Sequence, residues 1–523
     1  MKRFALTGLG MLGLLWAPLT QAELQNVEVG GKIEIWGNLF TGLFENGDTT
    51  RIDAPAVFGR PIGGTALDAL GAINSIIRNY DGDGGRGSAW IEQRTTLHIN
   101  ADFTEEVSAF VEFESIDDWG EDFRSDYVTG LDGRGATGDD VEMYQGYIQA
   151  NQVFGYPVQV RMGRQELILG NGWLVGNNFY WDPLTYLSFD GVRATYTGAA
   201  FMLDVFWMKP VERFGDFGDQ DVDLYGIYGG YTGVENWEFN AYWLFLRDGL
   251  DVEATAGGPV LEGIEHFLGL DTYETTTIHT VGLHGAGTVG GWDLEGEIAY
   301  QWGKASTAGV TFAPFLYGDE DAEYGQWGGH FNVGYQFESK WSPYVYVGGE
   351  YYGGEDNRDV SLFDLLNPFY QPQASISFNR LYSSFEADSF LDGSNMSNIW
   401  MLKAGGTLSP TEKLELGLDM LYFEVVEPFD TPVLGRVGKS RTPVYSIFPF
   451  WTRESDEQLA WEFTFWLAYA YSEDLSFELG WGHFFPLEGL EDGSFVDSMG
   501  LEFYGGLDDD ESDYFWFATT VEF

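Results

Sequence analysis

The stretch that decides the fold is the last ten residues, Tyr514-Phe515-Trp516-Phe517-Ala518-Thr519-Thr520-Val521-Glu522-Phe523. Alternate residues of a β-strand point to opposite faces. Phe515, Phe517, Thr519, Val521 and Phe523 therefore share one face, and Trp516, Ala518, Thr520 and Glu522 share the other. The first face can contact lipid while the second contacts water.

The two ends of the chain together predict an outer-membrane protein. A terminal Phe on such a strand resembles the sorting signal of bacterial outer-membrane barrels, although an edge strand of a soluble sandwich would also alternate. At the other end, Lys2 and Arg3 precede an apolar stretch and small residues near Ala22, which is the pattern of a secretory signal. We expect a signal peptide over residues 1–22 and a barrel over residues 23–523.

Composition agrees with a barrel in the cell outer membrane. No later segment offers about 20 uninterrupted apolar residues, so we expect no membrane helix. The chain has 17% aromatic residues and 70 glycines at a mean hydropathy of -0.17, which suits strands with only one face in lipid. Because there is no Cys, disulfides, iron–sulfur clusters and thiol nucleophiles are excluded.

Alternating segments recur along the chain, and the gaps between them are alternately short and long. Short periplasmic turns and long extracellular loops produce that pattern. The sequence predicts an all-β fold, a single transmembrane antiparallel β-barrel of about 18 strands. The predicted strands are residues 31–44, 88–102, 106–116, 140–150, 158–169, 189–197, 200–209, 222–232, 236–247, 275–288, 291–303, 323–338, 342–352, 397–408, 413–424, 458–472, 475–485 and 513–523. A barrel of this size leaves an aqueous channel, which favours transport over catalysis.

The apolar parity of each strand predicts which side chains line the channel. In residues 88–102 it directs Glu92, Arg94 and His98 inward with their even-numbered neighbours. The same rule directs Glu112, Arg193, Lys403, Glu415 and Asp419 inward. Placing an Arg or Lys side chain in lipid at the bilayer midplane costs about 2–4 kcal/mol, so charged side chains are expected on the inward face.

Several of these strands resemble the alginate-export family of outer-membrane proteins. The resemblance lies in Trp90-Ile91-Glu92-Gln93-Arg94-Thr95-Thr96-Leu97-His98-Ile99-Asn100-Ala101, in Val160-Arg161-Met162-Gly163-Arg164-Gln165-Glu166-Leu167 with the following Gly170-Asn171-Gly172, and in Phe189-Asp190-Gly191-Val192-Arg193-Ala194. It is clearest over residues 90–196. The resemblance implies a monomeric barrel that exports a polyuronate through a basic constriction.

The resemblance also implies which basic residues line that constriction. The matching positions are Arg94, Arg161 or Arg164, and Arg193, and parity adds Lys403. A bulge at Gly163 would exchange Arg161 for Arg164 as the inward residue. The alternative for each arginine is a wall residue paired with a neighbouring Glu.

Acidic residues on the inward parity outnumber these bases. They are Glu92, Glu112, Glu114, Glu142, Asp204, Glu238, Glu295, Glu297, Glu415, Asp419, Glu462 and Glu478. Charges that line a pore select ions of the opposite sign. The lumen is therefore expected to prefer cations and to repel a uronate polymer unless the arginines cluster at one constriction.

The sequence offers little for metals or catalysis. Asn79, Asp81 and Asp83 resemble the start of a calcium loop, but Trp90 stands where a bidentate Glu is needed. Calcium on acidic loops is the one cofactor hypothesis. The six histidines lack metal-ligand spacing and no nucleophile elbow or nucleotide loop is present, so we expect no enzyme.

Three functions remain open from the sequence. The first is a channel of the alginate-export type that passes a polysaccharide or another hydrophilic solute by diffusion. The second is a general or cation-preferring porin, and the third is a structural or adhesive barrel with calcium-binding loops. Expected partners are outer-membrane lipid and lipopolysaccharide, the barrel assembly machinery and periplasmic polysaccharide export proteins, with no nucleic acid.

Overall fold

The structure is a computed structural model. It describes residues 25–41, 88–119, 141–177, 184, 186–212, 221–249, 275–304, 323–354, 377–385, 397–427, 430–432, 435–437, 440–442, 452–454, 456–489, 495–496, 503–504 and 511–523. Within these ranges no helix has the length and apolar character needed to cross a membrane.

Eighteen antiparallel strands form the wall of the protein. They are β1 Asn26–Thr41, β2 Ser88–Thr104, β3 Val107–Asp118, β4 Glu142–Ala150, β5 Val158–Gln165, β6 Phe189–Thr197, β7 Phe201–Val211, β8 Val222–Val234, β9 Trp237–Asp248, β10 Thr276–Val289, β11 Trp292–Lys304, β12 Trp327–Gln336, β13 Tyr344–Tyr352, β14 Ile399–Thr411, β15 Leu414–Val425, β16 Gln458–Ala470, β17 Leu475–Pro486 and β18 Ser512–Glu522. A two-residue segment, Glu323–Tyr324, also pairs with the end of β11, so the predicted strand 323–338 is divided at residues 325–326.

The sheet closes on itself because β1 has a partner on each edge. Lys32 lies opposite Thr96 of β2 and opposite Glu522 of β18. Every other strand pairs with its neighbours in chain order. The predicted barrel of 18 antiparallel strands is confirmed, and closure satisfies the backbone groups that an open edge would expose to lipid.

Side chains alternate between the two surfaces of the wall as the sequence predicts. On β18, Phe515 and Phe517 are 42% and 38% exposed on the outer face, whereas Trp516 is 8% exposed on the inner face. On β2, Leu97 and Ile99 are exposed outside, and Arg94 is buried inside. The outer face therefore carries the apolar surface that lipid requires, and polar groups are directed into the lumen.

The two ends of the barrel differ in how they connect strands. Thr104 is followed after two residues by Val107, and Val289 is followed after two residues by Trp292. These tight turns lie at the end where β1 begins and β18 finishes. The opposite end carries the long connections, such as residues 42–87 between β1 and β2. Short turns mark the periplasmic end and long loops the extracellular end.

Three short β-hairpins lie within the long extracellular connections that the structure describes in part. Asp430–Pro432 pairs with Thr452–Glu454, Gly435–Val437 pairs with Ser440–Thr442, and Phe495–Val496 pairs with Phe503–Tyr504.

Strand β5 is shorter than predicted, because it ends at Gln165 instead of residue 169. Beyond Gln165 the chain leaves the wall and enters the lumen.

Candidate functional site

Two chain segments occupy the extracellular half of the lumen. One is residues 166–177, which follows β5, and the other is residues 377–385, which lies between β13 and β14. They pair with each other through a parallel bridge between Val175 and Tyr382. Backbone hydrogen bonds from Tyr382 N to Leu174 O and from Gly176 N to Tyr382 O hold the bridge. We call this pair of segments the inner plug.

The inner plug is held in place by apolar packing. Leu167, Trp173 and Val175 are fully buried, as is Phe378 of the second segment. Their partners are apolar residues on the inner wall near its extracellular end: Phe189, Phe206, Met208, Leu224, Leu244, Ile278, Tyr352, Met401 and Phe423. Burial of each large side chain stabilises the plug by about 1.5–3 kcal/mol. The extracellular half of the barrel thus has a packed core.

Glycine permits the close contact between the two segments. Gly172 adopts a φ of +84°, a region that disfavours residues with a Cβ, and a Cβ there would collide with Ser384 Oγ. Ser384 N in turn donates to Gly172 O at 3.0 Å. The Gly170-Asn171-Gly172 run is therefore a requirement of the plug as well as part of the sequence resemblance.

Polar contacts attach the tip of the plug to the wall at mid-height. The Asn171 amide Nδ2 donates to Glu295 Oε1 at 2.8 Å and lies 3.4 Å from His330 Nε2. Glu295 Oε1 is also 3.3 Å from His284 Nε2, and His330 Nε2 is 3.6 Å from Glu297 Oε2. The Trp173 indole donates to the Tyr352 hydroxyl at 2.9 Å. This cluster of histidines and carboxylates anchors the plug to β10, β11 and β12.

Below the plug, inward-facing side chains are less buried. His98, Phe110, Tyr147, Gln149 and Arg161 are all partly exposed on β2 to β5. Glu238 is exposed, and Glu415 and Glu478 are half-buried. The lumen therefore divides into a packed extracellular half and a polar vestibule at the periplasmic end.

Arg94 lies in a cage of acids and aromatic rings. Its guanidinium Nη1 is 3.2 Å from Glu34 Oε2, and its Nη2 is 2.9 Å from Glu114 Oε2. The Tyr186 ring lies 3.8 Å from the guanidinium carbon. The side chain is only 4% exposed. Arg94 faces the lumen as predicted, but its charge is neutralised, as the alternative interpretation expected.

Arg193 is neutralised in the same way. Its Nη2 forms an ion pair with Asp204, which is completely buried on β7, and the Thr195 hydroxyl also contacts that carboxylate. Lys403 faces the lumen beside Asp419, with an Nζ–Oδ2 distance of 3.9 Å, and Asp419 accepts a hydrogen bond from the Tyr346 hydroxyl. Each of these inward cations therefore has a carboxylate nearby.

The structure decides between Arg161 and Arg164. Arg161 lies opposite Arg193 on the inner face, its guanidinium 4.2 Å from the Tyr147 ring centre and bonded to Gln149 Oε1. Arg164 lies on the outer face, where it binds Asp190 with two hydrogen bonds of 2.9 and 3.0 Å. Of these two alternatives, the structure places Arg161 and not Arg164 on the lumen face, because alternation continues through Gly163 without exchanging the two faces.

The conformation of Gly163 explains why the inner and outer faces of β5 are not exchanged. It has a φ of +128° while keeping its register with Tyr147 and Gly191. A Cβ at this position would collide with the carbonyl oxygen of Gly146. Glycine therefore absorbs the local distortion, and the strand needs no extra residue.

The remaining candidate acids lie on the inner wall. Glu92 accepts a hydrogen bond from the Trp90 indole at 2.7 Å, and Glu112 accepts one from Gln145 Nε2 at 2.8 Å. Glu415 and Asp419 share the inner face of β15. The calcium hypothesis for Asn79, Asp81 and Asp83 lies outside the described residues. In the part of the chain that the structure describes, no group of three or more His, Cys, Asp or Glu residues is arranged to hold a metal ion.

Sequence reasoning missed the inner plug. The sequence predicts outside loops over residues 170–188 and 353–397, because these residues interrupt the strand alternation. One signal is present in the sequence, since Trp173, Leu174 and Val175 form an apolar run inside the predicted loop. Apolar runs in loops need a partner, and here that partner is the inside of the barrel.

Comparison with known proteins places the chain in a family. The family model for alginate export matches residues 83–497, most of the chain. The chain belongs to the alginate export family. This confirms the resemblance seen in the motifs of β2, β5 and β6. With its closed barrel, the protein is an outer-membrane channel of the alginate-export type.

Solved structures that are similar to the chain include three proteins of Pseudomonas aeruginosa, one of them the outer membrane protein OpdK. OccK8 (OprE) is 10% identical with a TM-score of 0.46, covering 95% of this chain and 98% of that chain. OpdK is 9% identical with a TM-score of 0.47, covering 95% and 98%. OccD3 (OpdP) is 10% identical with a TM-score of 0.47, covering 96% and 93%. No curated protein sequence matches the chain.

Proposed function

We propose that this alginate-export-type channel passes a polysaccharide of low charge density out of the periplasm through a lumen that prefers cations. The observation that carries the proposal is the charge balance of the inner wall. Arg94, Arg193 and Lys403 lie beside carboxylates, while further inward acids lie beyond these pairs.

Pairing leaves Arg94, Arg193 and Lys403 little attraction for a polyanion, whereas Arg161 contacts the Gln149 amide and the Tyr147 ring. Lys32 and Arg94 together contact Glu34 and Glu114, so that group has no net formal charge. Arg193 with Asp204 is likewise balanced. A uronate polymer would have to displace these carboxylates, and removing one partner of a buried pair costs about 3–5 kcal/mol.

Acids in the vestibule add negative potential. The partners of Glu112 and Glu478 are neutral donors, namely the Gln145 amide and the Trp516 indole. Glu238 and Glu415 also face the vestibule. Such charges act more strongly where low-dielectric walls surround the water. The excess of negative charge in the vestibule favours the entry of cations and disfavours the entry of polyuronates.

The shape of the lumen supports export. The polar vestibule begins at the end with the short turns, where a polymer made in the periplasm would enter. The inner plug lies between that vestibule and the outside, so the plug must move aside before a polymer can pass. A packed plug of this kind would limit leakage of small solutes when no polymer is present.

Planar-bilayer recording tests the proposal. In a potassium chloride gradient, the reversal potential should show preference for potassium over chloride. A neutral glucan added on the periplasmic side should reduce the current, whereas a polyuronate of equal length should not. Block by the polyuronate with anion preference would instead support an exporter of polyanions.

A cation-preferring porin for small solutes is the second candidate, and the acidic vestibule favours it. Such a porin would share the potassium preference but would be blocked by neither polymer. A structural or adhesive barrel would show no conductance. The same recordings therefore separate all three functions.

The proposal extends to the surroundings of the barrel. Residues 1–22 are removed on secretion, and residues 23–523 are inserted as a monomer by the barrel assembly machinery. Periplasmic polysaccharide export proteins deliver the polymer, and the barrel itself performs no catalysis and binds no nucleic acid. The calcium hypothesis concerns the acidic loops around Asp81 and Asp83, and calcium titration of the folded protein tests it.

A further inference from the structure

Trp466 of β16 differs from the other tryptophans that the described wall directs into the lumen. Those others are Trp36, Trp90 and Trp516, and each donates its indole N–H to a side chain of the wall. Trp466 is partly exposed, and within the described part of the chain its Nε1 has no acceptor and is accessible from the lumen. Because an indole N–H usually has a partner when it is buried, that of Trp466 remains available for a ligand.

The ring of Trp466 lies across Gly417 of β15. The two residues are opposite each other in the register, and a Cβ on Gly417 would collide with indole Cε2, Cζ2 and Nε1. On the other side Trp466 lies opposite Gly480 of β17. Among the described residues no other ring stacks on Trp466. One face of the indole therefore lies on the wall, and the second face is directed to the lumen.

Two carboxylates flank a gap beside this ring, on the side of the periplasmic turns. Ala468, two residues after Trp466, lies opposite both Glu415 of β15 and Glu478 of β17. Because the Ala468 side chain ends at Cβ, the two longer side chains stand on either side of a gap. Adjacent strands are about 4.8 Å apart, so the backbones of the two acids are separated by about 10 Å. We call Trp466, Ala468, Glu415 and Glu478 the tryptophan notch.

Both carboxylates of the tryptophan notch can accept further hydrogen bonds. Glu415 is half-buried, and among the residues that the structure describes it has neither a hydrogen bond nor an ion pair. Glu478 accepts one hydrogen bond, from Trp516 Nε1 to its Oε1. An ionised carboxylate has about four acceptor positions on its two oxygens. The tryptophan notch therefore presents one donor, one aromatic face and several unused acceptors to the lumen.

We propose that the tryptophan notch binds a pyranose ring of a neutral polysaccharide as the polymer enters from the periplasm, an inference that rests on the function proposed above. The apolar C–H face of the sugar packs on the indole, and Trp466 Nε1 donates to one hydroxyl. Glu415 and Glu478 accept hydrogen bonds from hydroxyls on opposite edges of the ring. An aromatic surface with a few convergent polar groups is the usual form of a small-ligand site. A uronate ring would bring a third carboxylate beside these two, and like charges repel.

Calorimetry with short oligosaccharides tests the site independently of conduction. The folded protein in detergent is titrated with two neutral hexasaccharides, cellohexaose and maltohexaose, and with a hexauronate. At least one neutral hexasaccharide should bind, and the hexauronate should bind at least about tenfold more weakly, the equivalent of one hydrogen bond to a charged group. Glu415→Gln with Glu478→Gln should narrow that difference. No binding of either neutral sugar, or equal binding of the hexauronate, would overturn the proposal.

Variants of Trp466 locate the binding. Trp466→Ala should weaken the neutral hexasaccharide by at least about tenfold, because a ring contact and a hydrogen bond are both lost. Trp466→Phe keeps a ring without the N–H and should bind with intermediate affinity. Trp341→Ala, which removes an exposed indole from a periplasmic turn, is the matched control and should bind as the native protein does. Heat-modifiable gel migration verifies folding, and undiminished binding by folded Trp466→Ala protein would overturn the proposal.

Bilayer recordings distinguish failure of this site from failure of the transport function. If Trp466→Ala abolishes sugar binding but a neutral glucan leaves the native current unchanged, the tryptophan notch stands and the transport proposal falls. If the glucan reduces the currents of the native and Trp466→Ala channels equally, the transport proposal stands and the tryptophan notch is not the site that binds the polymer.

Discussion

Arg161 and Arg193 lie directly opposite each other on the inner faces of β5 and β6. Arg193 forms an ion pair with buried Asp204, whereas Arg161 is held by the Gln149 amide oxygen and the Tyr147 ring. Among the described residues, no carboxylate lies within ion-pair distance of Arg161. Of these two adjacent arginines only Arg193 is paired with an acid, and the positive charge of Arg161 faces the vestibule.

Replacing these two arginines should have different effects. Arg193→Gln leaves Asp204 buried without its cation, so the free energy of unfolding should fall by about 3–5 kcal/mol. Arg161→Gln should cost about 1 kcal/mol or less, since it loses only hydrogen bonds and a ring contact. Urea unfolding of barrels in lipid vesicles measures both. Equal losses for the two variants would show that the difference in pairing is unimportant.

Arg161→Gln should also increase the preference for potassium over chloride. The residue supplies positive charge that partly offsets the vestibule acids. The converse double variant, Glu415→Gln with Glu478→Gln, should reduce that preference. Reversal potentials in a salt gradient measure each shift. Glu473→Gln, in a turn beyond the barrel wall, is the matched control and should leave the reversal potential unchanged.

Trp173→Ala should loosen the inner plug. The indole is fully buried, contacts Tyr352 and Phe378, and its loss should cost about 3–5 kcal/mol of packing. We expect larger and noisier single-channel currents together with faster entry of small solutes into proteoliposomes. Phe154→Ala, which truncates a ring that is 95% exposed in a periplasmic turn, provides the control. Unchanged currents in the Trp173 variant would mean that the plug does not limit conduction.

Asn171→Ala should separate anchoring from packing. It removes the polar contacts with Glu295 and His330 and the hydrogen bond that Asn171 Oδ1 accepts from Trp173 N, but leaves the apolar contacts of the plug. We expect conductance between that of the native protein and that of the Trp173 variant. If the Asn171 variant conducts like the native protein, apolar packing alone holds the plug.

The terminal Phe should matter for assembly more than for stability. Its backbone pairs with Gly31 through two hydrogen bonds, while its side chain is 67% exposed. Phe523→Ser retains the backbone bonds and should lower the amount of folded protein in the outer membrane. Heat-modifiable migration of membrane fractions measures this. Normal amounts of folded barrel would remove the sorting role from this residue.

The sequence by itself determined the wall of the barrel. Strand alternation repeats over many segments, and a shift of one residue would place charges such as Arg94 in lipid, so facing and strand number follow from local pattern. The inward positions of Arg193, Lys403, Glu415 and Asp419 follow for the same reason.

Only the tertiary structure decided what fills the lumen and which charges cancel. The pairing of Arg94 with Glu34 joins strands that are 60 residues apart in sequence, and that of Lys403 with Tyr346 and Asp419 joins three strands. The contact of Val175 with Tyr382 joins two loops that carry no alternation at all. Such contacts depend on closure of the barrel, because closure brings distant side chains to the same height around one lumen. Local periodicity contains no information about that height.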